Sequence, residues 1–301
     1  MEKFDKETRT INTLTVHAGT FHSDDVFCGA VAQILNPKAV IRRVSKADTE
    51  TDIEKGNIVA DIGFGPFDHH QKDCPYREDG IKHCGASRLW LVYGMTAVKK
   101  VVPEISDEAA AAVCQGIYDG MLRTIAALDN GTADFPNTTF SIVNAVEGFR
   151  PEWDSEKTYD QGYFEAVAFV KQVLINEINA YAAEARAAYV MSRVAAKEKG
   201  IVILEKYCPW KKPVIADKEA EIVIYPSLRG GWNLEPVPNE KEEITYRIHI
   251  PDEWRGTVGE AAAACQPGMT FCHAKGFLVS FETEDYAVRA AEELVRGSSA
   301  K

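Results

Sequence analysis

The sequence predicts an α/β protein: a mostly parallel sheet flanked by helices, followed by a smaller α/β C-terminal region. Three observations lead there. β-like and helix-like segments alternate through the first half; near Arg150 the chain turns polar (PEWDSEKTYDQG) and a long helical stretch follows; the remainder is richer in β-like runs. Alternation of this kind buries a parallel sheet between helices. With 301 residues the chain is long enough for two domains, and the composition shift sets the expected division at residues 1–150 and 151–301.

The elements follow in order. Leu14 to Val16 closes a short apolar run, and the polar loop HAGTFHSDD comes next. VFCGAVAQIL reads as a buried helix ended by Asn36-Pro37. AVIRRV (39–44) and NIVADIGF (57–64) read as strands, the second running into a Gly/Pro turn. GASRLWLVYG is helical, with a stop expected at Gly94. Ser106 to Asp129 reads as one Ala-rich helix with Ser106 as its N-cap. From Tyr163 to Lys199 the spacing predicts a long helix. Its buried stripe is Phe164, Val167, Val170, Leu174, Ile178 and Tyr181. Beyond it, IVIL, EIVIYP, WNLEPV, ITYRIHI and FLVSFE read as strands, and Asp285 to Val295 as a closing amphipathic helix.

Composition bounds the function. Hydrophobic residues make up 46% and charged residues 26%, ordinary for a globular chain. No apolar run approaches the roughly 18 residues that span a bilayer, and MEKFDKETRTIN has no apolar h-region. The expectation is a cytoplasmic protein without a membrane partner. The seven cysteines form no C-x-x-C pair, which argues for reduced thiols. A net charge of −11 argues against long nucleic acid held by phosphate neutralisation. Bound cations could draw an anionic substrate to such a chain.

Polar residues at element ends are the candidates for chemistry, because sites in open α/β sheets gather at the carboxyl ends of strands. His17 ends TLTV, His22 and Asp24 follow in the same loop, and Asp61 ends IVAD. Asp68, His69 and His70 come a few residues later, and Asp129 and Asn130 stand where the Ala-rich helix stops. Singly, each has an ordinary reading as a cap or turn residue. As a set, imidazoles and carboxylates without a thiolate suit a hard or borderline divalent ion. Asp61, alone between two histidine-bearing loops, is the natural carboxylate to bridge two such ions.

The motifs HAGTFHSDD (17–25), VADIG (59–63), FDHHQ (67–71), GASRLWLVYG (85–94) and ALDNG (127–131) resemble the MYG (melanocyte proliferating gene) family, related to the DHH phosphoesterases. GFRPEW (148–153), GGWNLEPVP, PDEWRG and FCHAKGFLVSF extend the resemblance over nearly the whole chain. The resemblance implies a DHH-like metal-binding catalytic domain over 1–150, and a long connecting helix with a substrate-binding domain over 151–301. It implies two divalent ions, Mn²⁺ foremost, with Mg²⁺, Co²⁺ or Zn²⁺ as alternatives. His17, His22 and Asp61 would hold one; Asp24, Asp61, His69 and Asp129 the other. Among catalytic residues, His70 would face the substrate phosphate and Asp68 would orient a neighbouring histidine. Asp25 reads as an acid favouring the helix dipole, its part in the site left open. His273, Lys275, Arg229 and Arg255 would contact substrate, with Trp232 a weaker candidate.

The activity implied is phosphodiester hydrolysis by a metal-bridging water, as a 3′–5′ exonuclease or an oligonucleotide or dinucleotide phosphodiesterase. Two other functions stay open on the residues alone: a sensor of nucleotide or metal without turnover, and a metallohydrolase acting on a non-phosphate bond. The expected partner is a short oligonucleotide or nucleotide. The oligomeric state is left open, a homodimer included.

Overall fold

The computed structural model describes residues 10–46, 49–133, 139–193, 200–217, 219–240 and 245–299. It is α/β, with a parallel sheet flanked by helices and a second, mixed sheet in the C-terminal region. The chain forms two compact units, residues 1–182 and 183–301.

In the first unit, β1 (Thr13–His17) is central. α1 (Ser23–Leu35) follows, then β2 (Val40–Val44), the short α2 (Thr49–Glu54) and β3 (Ile58–Val59). The strands are parallel in the order β2-β1-β3. Every residue of α1 except Gln33 is buried, so this helix is apolar on all sides after its first turn. β3 is much shorter than NIVADIGF suggests. Asp61 takes φ 53°, a left-handed conformation that ends extended backbone.

α3 (Gly85–Val101) runs past the stop expected at Gly94, which lies inside the helix against the Trp90 ring. The Ala-rich segment is two helices, α4 (Asp107–Asp119) and α5 (Met121–Asp129), broken where Gly120 (φ −93°, ψ −92°) leaves helical geometry. Ser106 does cap α4, its Oγ accepting from Ala109 N–H at 3.2 Å. α6 (Ile142–Glu147) and α7 (Tyr159–Arg193) follow. The rest of the helix expected to reach Lys199, residues 194–199, lies outside the described residues. The α7 stripe begins at buried Tyr163, while Phe164 is 44% exposed, so the face is rotated from the expected one by a residue at its start. Val167, Val170, Leu174 and Ile178 join the core that also holds β1, α1, α3 and α5.

The second unit has β4 (Ile201–Ile203), α8 (Lys211–Ala216), β5 (Ile222–Pro226) and β6 (Trp232–Pro236). α9 (Glu260–Cys265), β7 (Met269–Cys272), β8 (Val279–Phe281) and α10 (Glu284–Ser299) follow. The sheet order is β4-β5-β6-β8-β7, parallel only between β4 and β5. Alternation along β5 sends Ile222 and Ile224 to the α10 side and Val223 and Tyr225 to the Trp210–Val214 side. ITYRIHI forms no strand among its described residues; Tyr246 makes a single bridge to Pro238, while Ile248 and Ile250 enter the core. No helix among the described residues is long and apolar enough to cross a membrane. All seven cysteines are free.

Candidate metal centre

Four segments of the first unit bring acids and imidazoles together. β1 ends in His17, and the loop after it delivers His22, Asp24 and Asp25 at the start of α1. β3 leads to Asp61, the turn beyond carries Asp68, His69 and His70, and α5 ends at Asp129. This is the carboxyl edge of a parallel sheet, where the diverging loops of an α/β fold leave room for a ligand.

Asp61 is the hub. Its Oδ2 lies 3.2 Å from His17 Nε2 and its Oδ1 3.1 Å from His69 Nε2, so its two oxygens face different histidines. Around His69 Nε2 stand Asp61, Asp129 (3.2 Å) and Asp24 (3.7 Å). One ring nitrogen carries at most one proton and cannot serve three carboxylates. Accordingly Asp61 Oδ1 and Asp129 Oδ2 are buried without a hydrogen-bond partner, and so is Asp25 Oδ2 beside His17. Buried charges are normally paired or coordinate metals, so this orphaned set fits divalent cations.

The groups with one ligand atom each within 4.8 Å of one another are His17–His22–Asp61, Asp61–His69–His70, His22–Asp24–Asp129 and Asp24–Asp25–Asp61. All six residues expected as metal ligands are therefore brought together. Asp25, which the sequence left open, joins them with one oxygen. Its Oδ1 accepts from His22 N–H at 2.8 Å, the helix-start role, while Oδ2 lies 3.5 Å from His17 Nε2.

Local structure fixes these groups. Asp24 Oδ2 accepts from Gly85 N–H at 3.2 Å, so the N-terminus of α3 points at it. A Cβ on Gly85 would stand 3.0 Å from Phe67 O and 3.2 Å from Asp61 Cβ, which is why a side chain is excluded there. Asp68 Oδ1 accepts from His69 N–H (2.7 Å) and sits 2.7 Å from His70 Nδ1, holding a ring whose side chain is 56% exposed. Arg88 holds the Asp68 carbonyl, and Arg150 donates to Phe21 O at 2.8 and 3.0 Å, anchoring the His17–Asp25 loop.

Asn130 is the residue that sequence reading noted but gave no role. Its Nδ2 donates to Ala126 O (2.9 Å) and Lys82 O (3.1 Å), which turns Oδ1 toward His69 Nδ1 at 3.4 Å. A ligand histidine is commonly oriented by such a partner on its other nitrogen. The signal for it was adjacency to Asp129.

Crowding shapes the charge states. Burial opposes ionisation of Asp24, Asp25 and Asp129 and pushes all three up, aided by Asp61; Asp25 reaches about 7 and Asp129 about 6, with Asp24 well above its ordinary value. Burial opposes charge on His17 too, but the bond to Asp61 and the Asp25 carboxylate outweigh it and raise His17 to about 9. Asp61 itself, despite burial, is held low by His17 and His69. His22 is lowered by burial and by His17.

The candidate substrate residues belong to the second unit. His273 stacks on Phe277 (centroids 4.0 Å apart), and its Nδ1 accepts from Lys275 N–H at 3.1 Å. Arg255 donates to Ile250 O at 3.1 Å and pairs with Asp252 at 3.3 Å. Arg229 is exposed and lines a concavity of about 580 Å³ with Tyr225, Asn233, Phe271 and Ser280, all on one face of the sheet. Trp232 is half-buried against the α10-side core.

Residues 13–295 match the MYG1_exonuc family model, described as "Uncharacterised protein family (UPF0160)". The chain is 24% identical to the MYG1 protein C694.04c of Schizosaccharomyces pombe, over 93% of this chain and 96% of that protein. It is 23% identical to the MYG1 protein of Dictyostelium discoideum, over 93% and 95%. With the MYG1 exonuclease of Homo sapiens it shares 24% identity over 91% of this chain and 83% of that one. No solved structure gives a significant match.

Proposed function

Since the chain belongs to the MYG1 exonuclease family, we propose that it is a divalent-cation-dependent phosphodiester hydrolase that removes nucleotides from the 3′ end of short oligonucleotides or splits dinucleotides. The carrying observation is the set of three buried carboxylate oxygens, on Asp25, Asp61 and Asp129, left without hydrogen bonds amid four histidines. Cations held there, Mn²⁺ first for this mixed donor set, would offset phosphoryl charge and make a water nucleophilic near neutral pH.

The side chains do the rest. Asp61, with one oxygen toward each histidine group, joins the two halves of the centre. Asn130 and the Ala18 carbonyl, 3.2 Å from His17 Nδ1, fix two of the rings. Asp68 holds His70 by Nδ1, which leaves Nε2 for the substrate; when the ring carries both protons, Nε2–H would donate to a phosphoryl or leaving oxygen. In this reading His273, Lys275 and Arg229 of the second unit are the candidate substrate contacts, while Arg255 is engaged by Ile250 O and Asp252.

The test is an assay over dinucleotides, short RNA, short DNA and cyclic dinucleotides with Mn²⁺ or Mg²⁺. Mononucleotide release is expected, abolished by chelator and reduced at least about 10³-fold by Asp61→Asn, beyond the 10–100-fold typical of residues that only support a ligand. Activity retained by Asp61→Asn, or indifferent to chelation, sinks the metal-dependent reading.

A further inference from the structure

The turn that carries the cluster also carries a residue the chemistry above does not use. Asp61 N–H donates to Phe67 O at 3.0 Å, and Ala60 bridges Phe67, so residues 61–67 form a closed turn. Phe64, inside this turn, has φ 56° and is 72% exposed. Two unfavourable features coincide there. A bulky aromatic occupies the left-handed region, where Gly or Asn would sit more easily. Its ring is also left in water and is not part of the unit's core.

The position is nonetheless fixed. Asp68 Oδ2 accepts from Phe64 N–H at 2.6 Å, while Asp68 Oδ1 lies 2.7 Å from His70 Nδ1. A single carboxylate therefore sets both an exposed aromatic and a half-exposed imidazole, seven residues after Asp61. A strained residue held this firmly beside a buried polar cluster marks a functional contact rather than a folding need.

We propose that Phe64 is a stacking platform for a nucleobase of the substrate. The substrate class rests on the phosphodiesterase reading; the platform itself rests on the turn. Stacking on an aromatic face tolerates any base, so Phe64 gives affinity for base-bearing chains without choosing among sequences.

The experiment compares a ribodinucleotide with the same phosphodiester lacking both bases. Turnover is measured with Mn²⁺, and binding by calorimetry in the cold, with Mn²⁺ and with chelator. Phe64→Gly removes the backbone strain and keeps the N–H that Asp68 accepts, so the fold is retained. For this variant KM and Kd for the dinucleotide rise about 5- to 150-fold, the equivalent of one lost base stack. Its kcat stays, as do its values for the base-free compound, and Phe64→Trp behaves like the wild type. An equal loss for both compounds, no loss for either, or a wild type that binds no dinucleotide overturns the platform. A wild type that binds the dinucleotide through Phe64 yet hydrolyses nothing supports the platform and sinks only the hydrolase reading. A wild type that hydrolyses it, with Phe64→Gly at wild-type KM, sinks only the platform.

Discussion

In the first unit, His69 Nε2 faces oxygens of Asp24, Asp61 and Asp129 within 3.7 Å, and three carboxylate oxygens of the cluster have no hydrogen bond at all. In the second unit, Arg255 donates to the Ile250 carbonyl and pairs with Asp252, and His273 accepts from Lys275 N–H while stacking on Phe277. Both sets are polar and both lie at loops. They differ in that the first is buried and short of partners, whereas the second is more exposed and supplied from its own surroundings. An unpaired buried carboxylate is costly to keep, so its presence asks for a ligand. An exposed cation with local partners does not ask for one.

The largest effect should separate the two sets directly. Asp24→Asn removes a fully buried member of the cluster and should lower kcat at least about 10³-fold, with weakened cation binding. His273→Ala should change activity by about 10-fold or less, and through KM. Calorimetric titration with Mn²⁺ beside steady-state kinetics checks both. A His273→Ala loss of the same size, in kcat, would break the contrast and place the second unit's histidine in the reacting machinery.

Next in size is the response of stability to pH and cation. In the unfolded chain Asp25 and Asp129 titrate near pH 4, but folded they hold protons up to about 7 and about 6. The folded state therefore binds more protons between about pH 4 and those values, and stability falls as pH rises through that window. His17 adds the same sign: its contribution is full below 6.5 and is lost as pH rises through about 9. Asp61, held low, works in the opposite sense, with a window that closes near pH 4. The cation-free protein should thus melt at lower temperature at pH 8 than at pH 6. Mn²⁺ displaces these protons, so its stabilisation should grow with pH. Near saturation it should reach about 5–10 °C for a unit of this size. Calorimetric scans at both pH values, with and without Mn²⁺, read this out; a Tm gain that is equal at pH 6 and pH 8 counts against the cluster as the binding site.

The same contrast explains what was legible in the sequence. The α/β class, most strands, α1 and the residues gathered in the polar cluster followed from local signals: apolar periodicity, and His or Asp at element ends. What escaped depends on distant contacts. Gly94 looks like a helix stop until Trp90 is seen to cover it, and the break at Gly120 is a matter of backbone geometry within an even Ala-rich run. Asn130 gains its part only because its amide donates to Lys82 O, 48 residues earlier. Asp25 has one oxygen doing the helix-start work that a sequence reader assigns it, and a second turned toward His17. The left-handed backbone at Asp61 cut β3 short, and nothing in IVAD announces it.

The smallest effect tests the other side of the contrast, that Arg255 is spent on its own unit. Arg255 Nε donates to Ile250 O, its Nη1 lies 3.3 Å from Asp252, and its guanidinium lies where a Cβ on Gly276 would meet it at 2.8 Å. The exposed ion pair contributes little on its own; the hydrogen bond to a buried residue's carbonyl contributes about 1 kcal/mol. Arg255→Ala should therefore lower Tm by about 2–8 °C in a unit of this size and leave KM for a dinucleotide unchanged. Arg255→Lys cannot reproduce the guanidinium fork and should recover little of that stability. Melting curves and KM for wild type and both variants decide it. A KM that rises in Arg255→Ala at unchanged Tm would show the guanidinium to be held ready for a phosphate rather than spent on the loop, and the line drawn between paired and unpaired polar groups would have to pass through the second unit as well.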